Sequence, residues 1–248
     1  MEKIDHFWTS RHTVRKYSER EVSDELLYDM LEKAAHAPTT GNMQLYSVII
    51  TRDVNKKRAL APAHFNQPQV EGCSVVLTFC ADLNRFTRWC SERKADPAYD
   101  NLQSLTAAFI DTVILAQQFN TIAELNGLGC CMLGTTTYNA DMIADLLNLP
   151  KLVVPVITIT VGYPAEEPGD CGRLPIEAFI HSEKYCDYTA SDINRLYSEK
   201  EGRTDSIRFV SENNKETLAQ VFTDVRYPRA NNEHFSETFK QFLKRAGF

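Results

Sequence analysis

The chain has 248 residues, enough for one large domain or two small ones, and its 43% hydrophobic and 24% charged residues are ordinary globular usage. A formal charge of −6 argues against nucleic acid or an anionic membrane surface as the main partner. Seven cysteines, an odd number with no Cys-x-x-Cys pair, exclude a disulfide framework and fit a reducing compartment.

The amino terminus, MEKIDHFW, lacks the shape of a signal peptide. The most apolar run, Ala107 to Ala116, contains Asp111 and is too short to cross a bilayer, so a cytoplasmic protein is expected. Ile4, Phe7 and Trp8 have the spacing of a short amphipathic helix, followed by Arg11-His12-Thr13-Val14-Arg15-Lys16-Tyr17. A helix or turn continuing through this stretch puts Arg11 and Arg15 on one side. Two guanidinium forks with the Thr13 hydroxyl between them suit a dianionic phosphate. A basic last turn complementing a helix C-terminus is the other reading.

Ser23 caps a helix whose first turn carries Asp24 and Glu25. Leu26, Leu27, Met30, Leu31, Ala34 and Ala35 give it an apolar face, and Pro38 stops it. The loop Ala37-Pro38-Thr39-Thr40-Gly41-Asn42-Met43-Gln44 then feeds a β-branched strand, Tyr46 to Thr51. Its hydroxyls and amides can line a pocket or merely connect. A short exposed helix is expected over Asp53 to Ala63, and His64 to Pro68 breaks it. Cys73 to Ala81 is a buried strand. Residues 83–97 carry mixed charge and a proline and are expected to form a surface excursion.

The longest helical pattern runs from about Tyr99 to Leu125, about 40 Å at 1.5 Å per residue. Its apolar residues occupy more than one face, as in a central helix or one shared with a second subunit. Asp111 within it is expected to be a partnered interior carboxylate. Gly127 to Gly134 predicts a short buried strand ending in Thr135-Thr136-Thr137, without Gly-x-Gly-x-x-Gly, and no Walker sequence occurs. A helix over Asn139 to Leu149 precedes the strongest strand, Val153 to Tyr163. Glu166 to Pro175 is irregular and holds one basic residue, Arg173. In the polar tail, Leu218, Val221, Phe222 and Val225, then Phe235, Phe239, Phe242 and Leu243, predict helices with narrow apolar faces. No repeats or linkers divide the chain, so 1–248 is expected to be one domain, with 182–248 a helical extension packing on the body or a partner subunit.

This order of signals resembles the FMN-dependent nitroreductase family, in particular its oxygen-insensitive NAD(P)H nitroreductase and flavin reductase branch. The residues that carry it are Arg11 to Tyr17, Ala37 to Gln44, Phe79 to Asp82, Gly127 to Gly129, Leu133-Gly134, Gly162-Tyr163-Pro164 and Arg173-Leu174-Pro175. The resemblance implies an α+β fold with a central, mostly antiparallel sheet flanked by helices. It implies a homodimer with FMN at the interface and the long helix between subunits. Phosphate and ribityl contacts fall by resemblance on Arg11, His12, Thr13 and Arg15. Contacts around the ring from the other subunit fall on Thr39, with Pro38, Thr40 and Asn42. Gln67 matches a flavin-contacting glutamine, and Leu133, Gly134 and Thr135 match the segment whose backbone faces the ring. Arg173 matches a late arginine that closes on the phosphate.

Two departures stand out. Cys171-Gly172-Arg173 replaces a typical Lys-Pro-Arg, and Gly134-Thr135 replaces a frequent Gly-Gly. The implied activity is hydride transfer from NADH or NADPH through flavin N5 to nitroaromatics, quinones or free flavin, in a ping-pong cycle. Arg203 and Arg208 are candidates for the phosphates of NAD(P)H, or are solvated surface residues. The alternatives are a flavin carrier or sensor without turnover, and a same-fold enzyme of another reaction such as reductive dehalogenation. The six histidines show no metal-ligand spacing.

Overall fold

The computed structural model describes residues 7–9, 11–166, 169 and 172–248. The chain forms two compact units, one of Met1–Pro168 with Phe235–Phe248, the other of Gly169–His234. The larger unit holds α1 (Asp24–Ala34), β1 (Tyr46–Thr51), α2 (Val54–Leu60), β2 (Val75–Asp82), α3 (Asn84–Glu92), α4 (Leu102–Leu125), β3 (Gly129–Leu133), α5 (Ala140–Leu146) and β4 (Val153–Gly162). The smaller unit holds α6 (Ala190–Gly202) and α7 (Thr204–Glu212). The last helix, α8 (Arg229–Ala246), ends in the larger unit. Among the described residues no helix is long and apolar enough to cross a membrane.

The sheet is wholly antiparallel, in the order β1-β2-β4-β3. Side chains alternate across a strand, so the apolar runs of the two central strands feed both faces. Val75, Leu77 and Phe79 of β2 and Ile159 and Val161 of β4 meet Leu27 and Met30 of α1 and Leu115 and Phe119 of α4. Val76 of β2 packs on the other face with Cys131 and Leu133 of β3 and Ile143 of α5. Pro155 is tolerated inside β4 because the register shifts there: Phe79 pairs with Ile157 and Cys80 with Pro155, which leaves Val156 without a partner.

Residues 83–97 are not an excursion without structure. They contain α3, started when Asp82 Oδ1 accepts the Arg85 N–H at 3.0 Å. The mixed charge is its solvent face, and Phe86 packs 5.3 Å from both Trp89 and Tyr99. The long helix begins at Leu102, where Asn101 caps Ser104 N–H at 3.0 Å. Asp111 is fully buried and partnered as expected, accepting Thr40 N–H at 2.8 Å and Leu45 N–H at 3.4 Å. It thereby holds a loop in which Gly41, Asn42 and Gln44 all take positive φ. Leu102, Ile110 and Val113 of α4 remain exposed.

Candidate functional site

The basic segment after Thr9 does not continue a helix. It runs as an irregular arm along the edge of the sheet, and Ile4 of the expected amphipathic helix lies outside the described residues. Val14 N–H donates to Cys130 O at 3.0 Å, Ser18 N–H to Tyr163 O at 2.8 Å, and Tyr17 bridges Pro164. Two facing glycines make room for it. Gly129 and Gly162 pair across β3 and β4. A Cβ on Gly129 would stand 2.5 Å from Val14 Cβ, and one on Gly162 would stand 2.9 Å from the Tyr17 ring. Tyr17 Oη lies 2.9 Å from Val14 O and 2.7 Å from Thr160 Oγ1. Burial pushes its phenol far above the ordinary range, so it stays a hydrogen-bond donor.

With Val14 buried, the candidates on either side of it separate. Arg11 Nε pairs with Glu124 Oε1 at 3.3 Å, and Asn120 donates to the same carboxylate at 3.1 Å. Burial raises the Glu124 carboxyl, while Arg11, Asn120 and His12 pull it back. Arg11, His12 and Glu124 line a cavity of about 230 Å³ with Gly127, Leu128 and Gly129. Arg15 is exposed; burial raises the pKa of the Cys131 thiol, and the positive charge of Arg15 pulls it back down. Gln69 Nε2 lies 3.8 Å from that sulfur and 2.8 Å from Gln67 Oε1. Cys131 thus feels the Arg15 charge and meets Gln69, which holds Gln67.

The turn after β3 is pinned from behind. Thr136 is fully buried; its Oγ1 accepts Thr158 N–H at 3.0 Å and donates to Leu133 O at 2.8 Å, so the hydroxyl ties the turn to the last paired residues of β3 and β4. Gly134 is exposed, with nothing within 4 Å of where a Cβ would stand. Thr135, the residue replacing a second glycine, lies with its Oγ1 2.9 Å from His64 Nδ1. His64 is fully buried, and burial lowers its pKa from the ordinary 6.5 to about 4. The folded value is below the unfolded one, so the neutral imidazole stabilises the fold above pH 6.5 and that stability is lost as pH falls toward 4. Unfolding free energy should therefore decline over this window, by no more than about 1.4 kcal/mol per pH unit from this group. Denaturant titrations of His64→Gln should show a flatter profile; an unchanged slope would assign the decline elsewhere.

Thr39, Thr40 and Asn42 form the turn that Asp111 holds, directly after Pro38. In the smaller unit, Arg173, Lys200 and Arg203 line a cavity of about 240 Å³ with, among the described residues, a single carboxylate, Glu199. Arg203 Nε also pairs with Asp205 at 3.2 Å. Gly172 has φ +61°, a value closed to proline, and a Cβ there would stand 2.7 Å from Arg203 Nη1. That is a physical reason for glycine where the resemblance expects proline; Cys171 lies outside the described residues. Arg208 does not join this group: it is exposed and pairs with Glu212 at 3.6 Å along its own helix.

A model of the nitroreductase family matches residues 9–163. The chain belongs to the nitroreductase family. An FMN reductase (NADPH) of Bacillus subtilis strain 168 is 30% identical over 178 residues, 71% of this chain and 72% of its own. A solved Bacteroides fragilis NCTC 9343 protein, provisionally named an oxidoreductase, is 55% identical with TM-score 0.96 over 97% of this chain and 98% of its own. The NfrA1 nitroreductase of B. subtilis is 25% identical with TM-score 0.85 over 98% of both chains. The nitroreductase match takes in the arm, the Asp111-held loop, Gln67 and the Leu133–Thr135 turn, and ends before Arg173.

Sequence reasoning missed Glu124, Gln69, Cys131, Thr136 and His64, which the structure sets beside the candidate residues. Gln69 carried one signal, an amide two residues from Gln67 across a proline. Thr136 carried another, a hydroxyl directly after a predicted strand end. Nothing local marked Glu124, His64 or Cys131, whose roles come from partners at least 60 residues away in the chain.

Proposed function

We propose that this nitroreductase-family protein is an FMN-dependent oxidoreductase that takes hydride from NADH or NADPH and passes it to nitroaromatics, quinones or free flavin. One observation carries the reading. An exposed arginine on the sheet-edge arm, Arg15, acts electrostatically on the buried Cys131 thiol, whose sulfur meets the Gln69 amide that holds Gln67, and Cys131 lies on the strand that ends at the open Gly134 turn. The donor chemistry fits FMN: a cation for a phosphate, an amide for an acceptor-bearing edge, and a glycine turn open to a flat ring. When bound, FMN supplies a ring that accepts hydride and gives it up again.

The chain's own residues bind and orient. Arg15 takes most of the phosphate charge, with Thr13, Arg11 and His12 beside it on the arm; Arg11 brings less because Glu124 already neutralises it. Leu133, Gly134 and Thr135 offer backbone to the ring, held still by Thr136 and His64. The loop of Pro38, Thr39, Thr40 and Asn42 serves the site of a second subunit, and the exposed apolar residues of α4 are the surface on which a homodimer forms. Arg173 and Arg203, gathered in one basic cavity of the smaller unit, take phosphates of the cofactor and of NAD(P)H; Arg208 is the outlying candidate. The relatives' names, an FMN reductase (NADPH) and a nitroreductase, support this assignment.

Initial rates with each nicotinamide against a nitroaromatic, a quinone and free FMN test it. Donor and acceptor that use the site in turn give parallel double-reciprocal lines. Intersecting lines would overturn the alternating cycle, and no oxidation of either nicotinamide by the FMN-loaded protein would leave a flavin carrier.

A further inference from the structure

We infer that Gln69 is a positioning residue that fixes the side-chain amide of Gln67, so that the N–H bonds of Gln67, and not its oxygen, are left to a ligand. The inference rests on the reading above that Gln67 meets FMN, and adds which end of its amide does so and what decides it.

A glutamine amide offers an acceptor at one end and two donors at the other, and turning it by half a revolution exchanges them at almost no change in shape. Something must therefore break the tie. Gln67 Oε1 accepts from Gln69 Nε2 at 2.8 Å, which commits the oxygen inward and leaves Nε2 outward. Gln69 is buried, at 3% exposure. Its Nε2 also faces Cys131 Sγ at 3.8 Å, while the thiol lies 3.9 Å from Met132 O. The backbone gives no slack: Gln67 N–H donates to His64 O at 3.2 Å and Gln67 O accepts from Val70 N–H at 3.0 Å, with Pro68 between the two glutamines. Turning Gln67 over alone would set two NH₂ groups against each other beside the buried Gln69, costing the hydrogen bond between them.

The chemistry of the ligand agrees. The pyrimidine edge of an oxidised flavin presents two carbonyl oxygens and the unprotonated N1 and N5, which accept hydrogen bonds, against a single donor, N3–H. An amide held donor-outward matches the acceptors that dominate that edge, whereas one held oxygen-outward could meet N3–H alone. The same Cys131 that backs Gln69 also feels the positive charge of Arg15. One buried pair, Gln69 and Cys131, thus stands behind both the cationic and the amide contact to the same molecule.

The experiment is FMN binding to the apoprotein, read by quenching of flavin fluorescence, with thermal unfolding without FMN as the control for folding. Gln69→Met keeps the volume and removes the tie, and should weaken FMN about three- to tenfold. Gln69→Glu presents only acceptors when ionised, forces Gln67 to turn its NH₂ inward, and should weaken FMN more than about tenfold. In a Gln67→Leu background both costs should shrink to less than about twofold, because the residue they act through is gone. Native affinity in Gln69→Met and Gln69→Glu would overturn the inference, and so would costs that persist undiminished with Gln67→Leu. A wild-type apoprotein that takes up no FMN would instead overturn the proposed function itself. Should Gln69→Glu fail to fold, Gln69→Met and its double variant decide the question alone.

Discussion

Gly129→Ala is expected to lower FMN affinity more than tenfold although no proposed ligand contact is altered. The added Cβ would stand 2.5 Å from Val14 Cβ and 2.6 Å from both of its methyls. Those are not the ends of a flexible side chain, so the arm itself must move. Overpacking of this kind costs about 1–3 kcal/mol. Val14 is also the residue whose N–H bonds Cys130 O, and Arg15 follows it directly, so the shift carries the guanidinium away from Cys131. Flavin-quenching titrations and thermal melts measure both effects. Val14→Gly in the same chain should recover part of the FMN affinity by vacating the contact. Native affinity in Gly129→Ala would show that the arm does not position the site.

Arg15→Ala should weaken FMN by about 10- to 150-fold, the loss of one charge-assisted contact worth roughly 1.5–3 kcal/mol. Arg11→Ala should cost distinctly less affinity. Arg11 is already paired with Glu124, and a phosphate entering that cavity meets the carboxylate as well as the guanidinium. Its removal falls on stability instead, because Glu124 is left partly buried beside Asn120 without its cation. Equilibrium titration of the two variants with FMN, set beside their melts, separates the roles. Equal losses of affinity would mean that Glu124 releases Arg11 when the ligand binds, and the division of labour between the two arginines would be wrong.

Local pattern revealed most elements of the larger unit. Period and caps placed α1 behind Ser23, α4 through Leu125 and the four strands, because each element buries its own apolar face and hides its own ends. The arm was misread because helical spacing of Arg11 and Arg15 is a local signal, whereas Val14 to Cys130 and Tyr17 to Pro164 are bonds over more than 100 residues. The sequence set Gly129 and Gly162 in two separate predicted strands; only their pairing across β3 and β4 shows the slot they open. The helix α3 was hidden by its charges, since Cys90 alone among its residues is buried. In the smaller unit, α6 carried a usable signal, the Thr189-x-x-Asp192 capping box, with Thr189 Oγ1 accepting Asp192 N–H at 3.2 Å. The positions of Arg15, Gln67 and Gly134 as candidates were legible. Their coupling through Cys131, Gln69 and His64 was not, because a buried thiol or amide declares its role only through its neighbours.

The most direct test of the whole account is an absorbance measurement on the FMN-reconstituted protein under nitrogen. NADH or NADPH should bleach the flavin band, and a nitroaromatic or quinone added afterwards should restore it. A protein that holds no flavin, or holds one that neither nicotinamide can bleach, would contradict it.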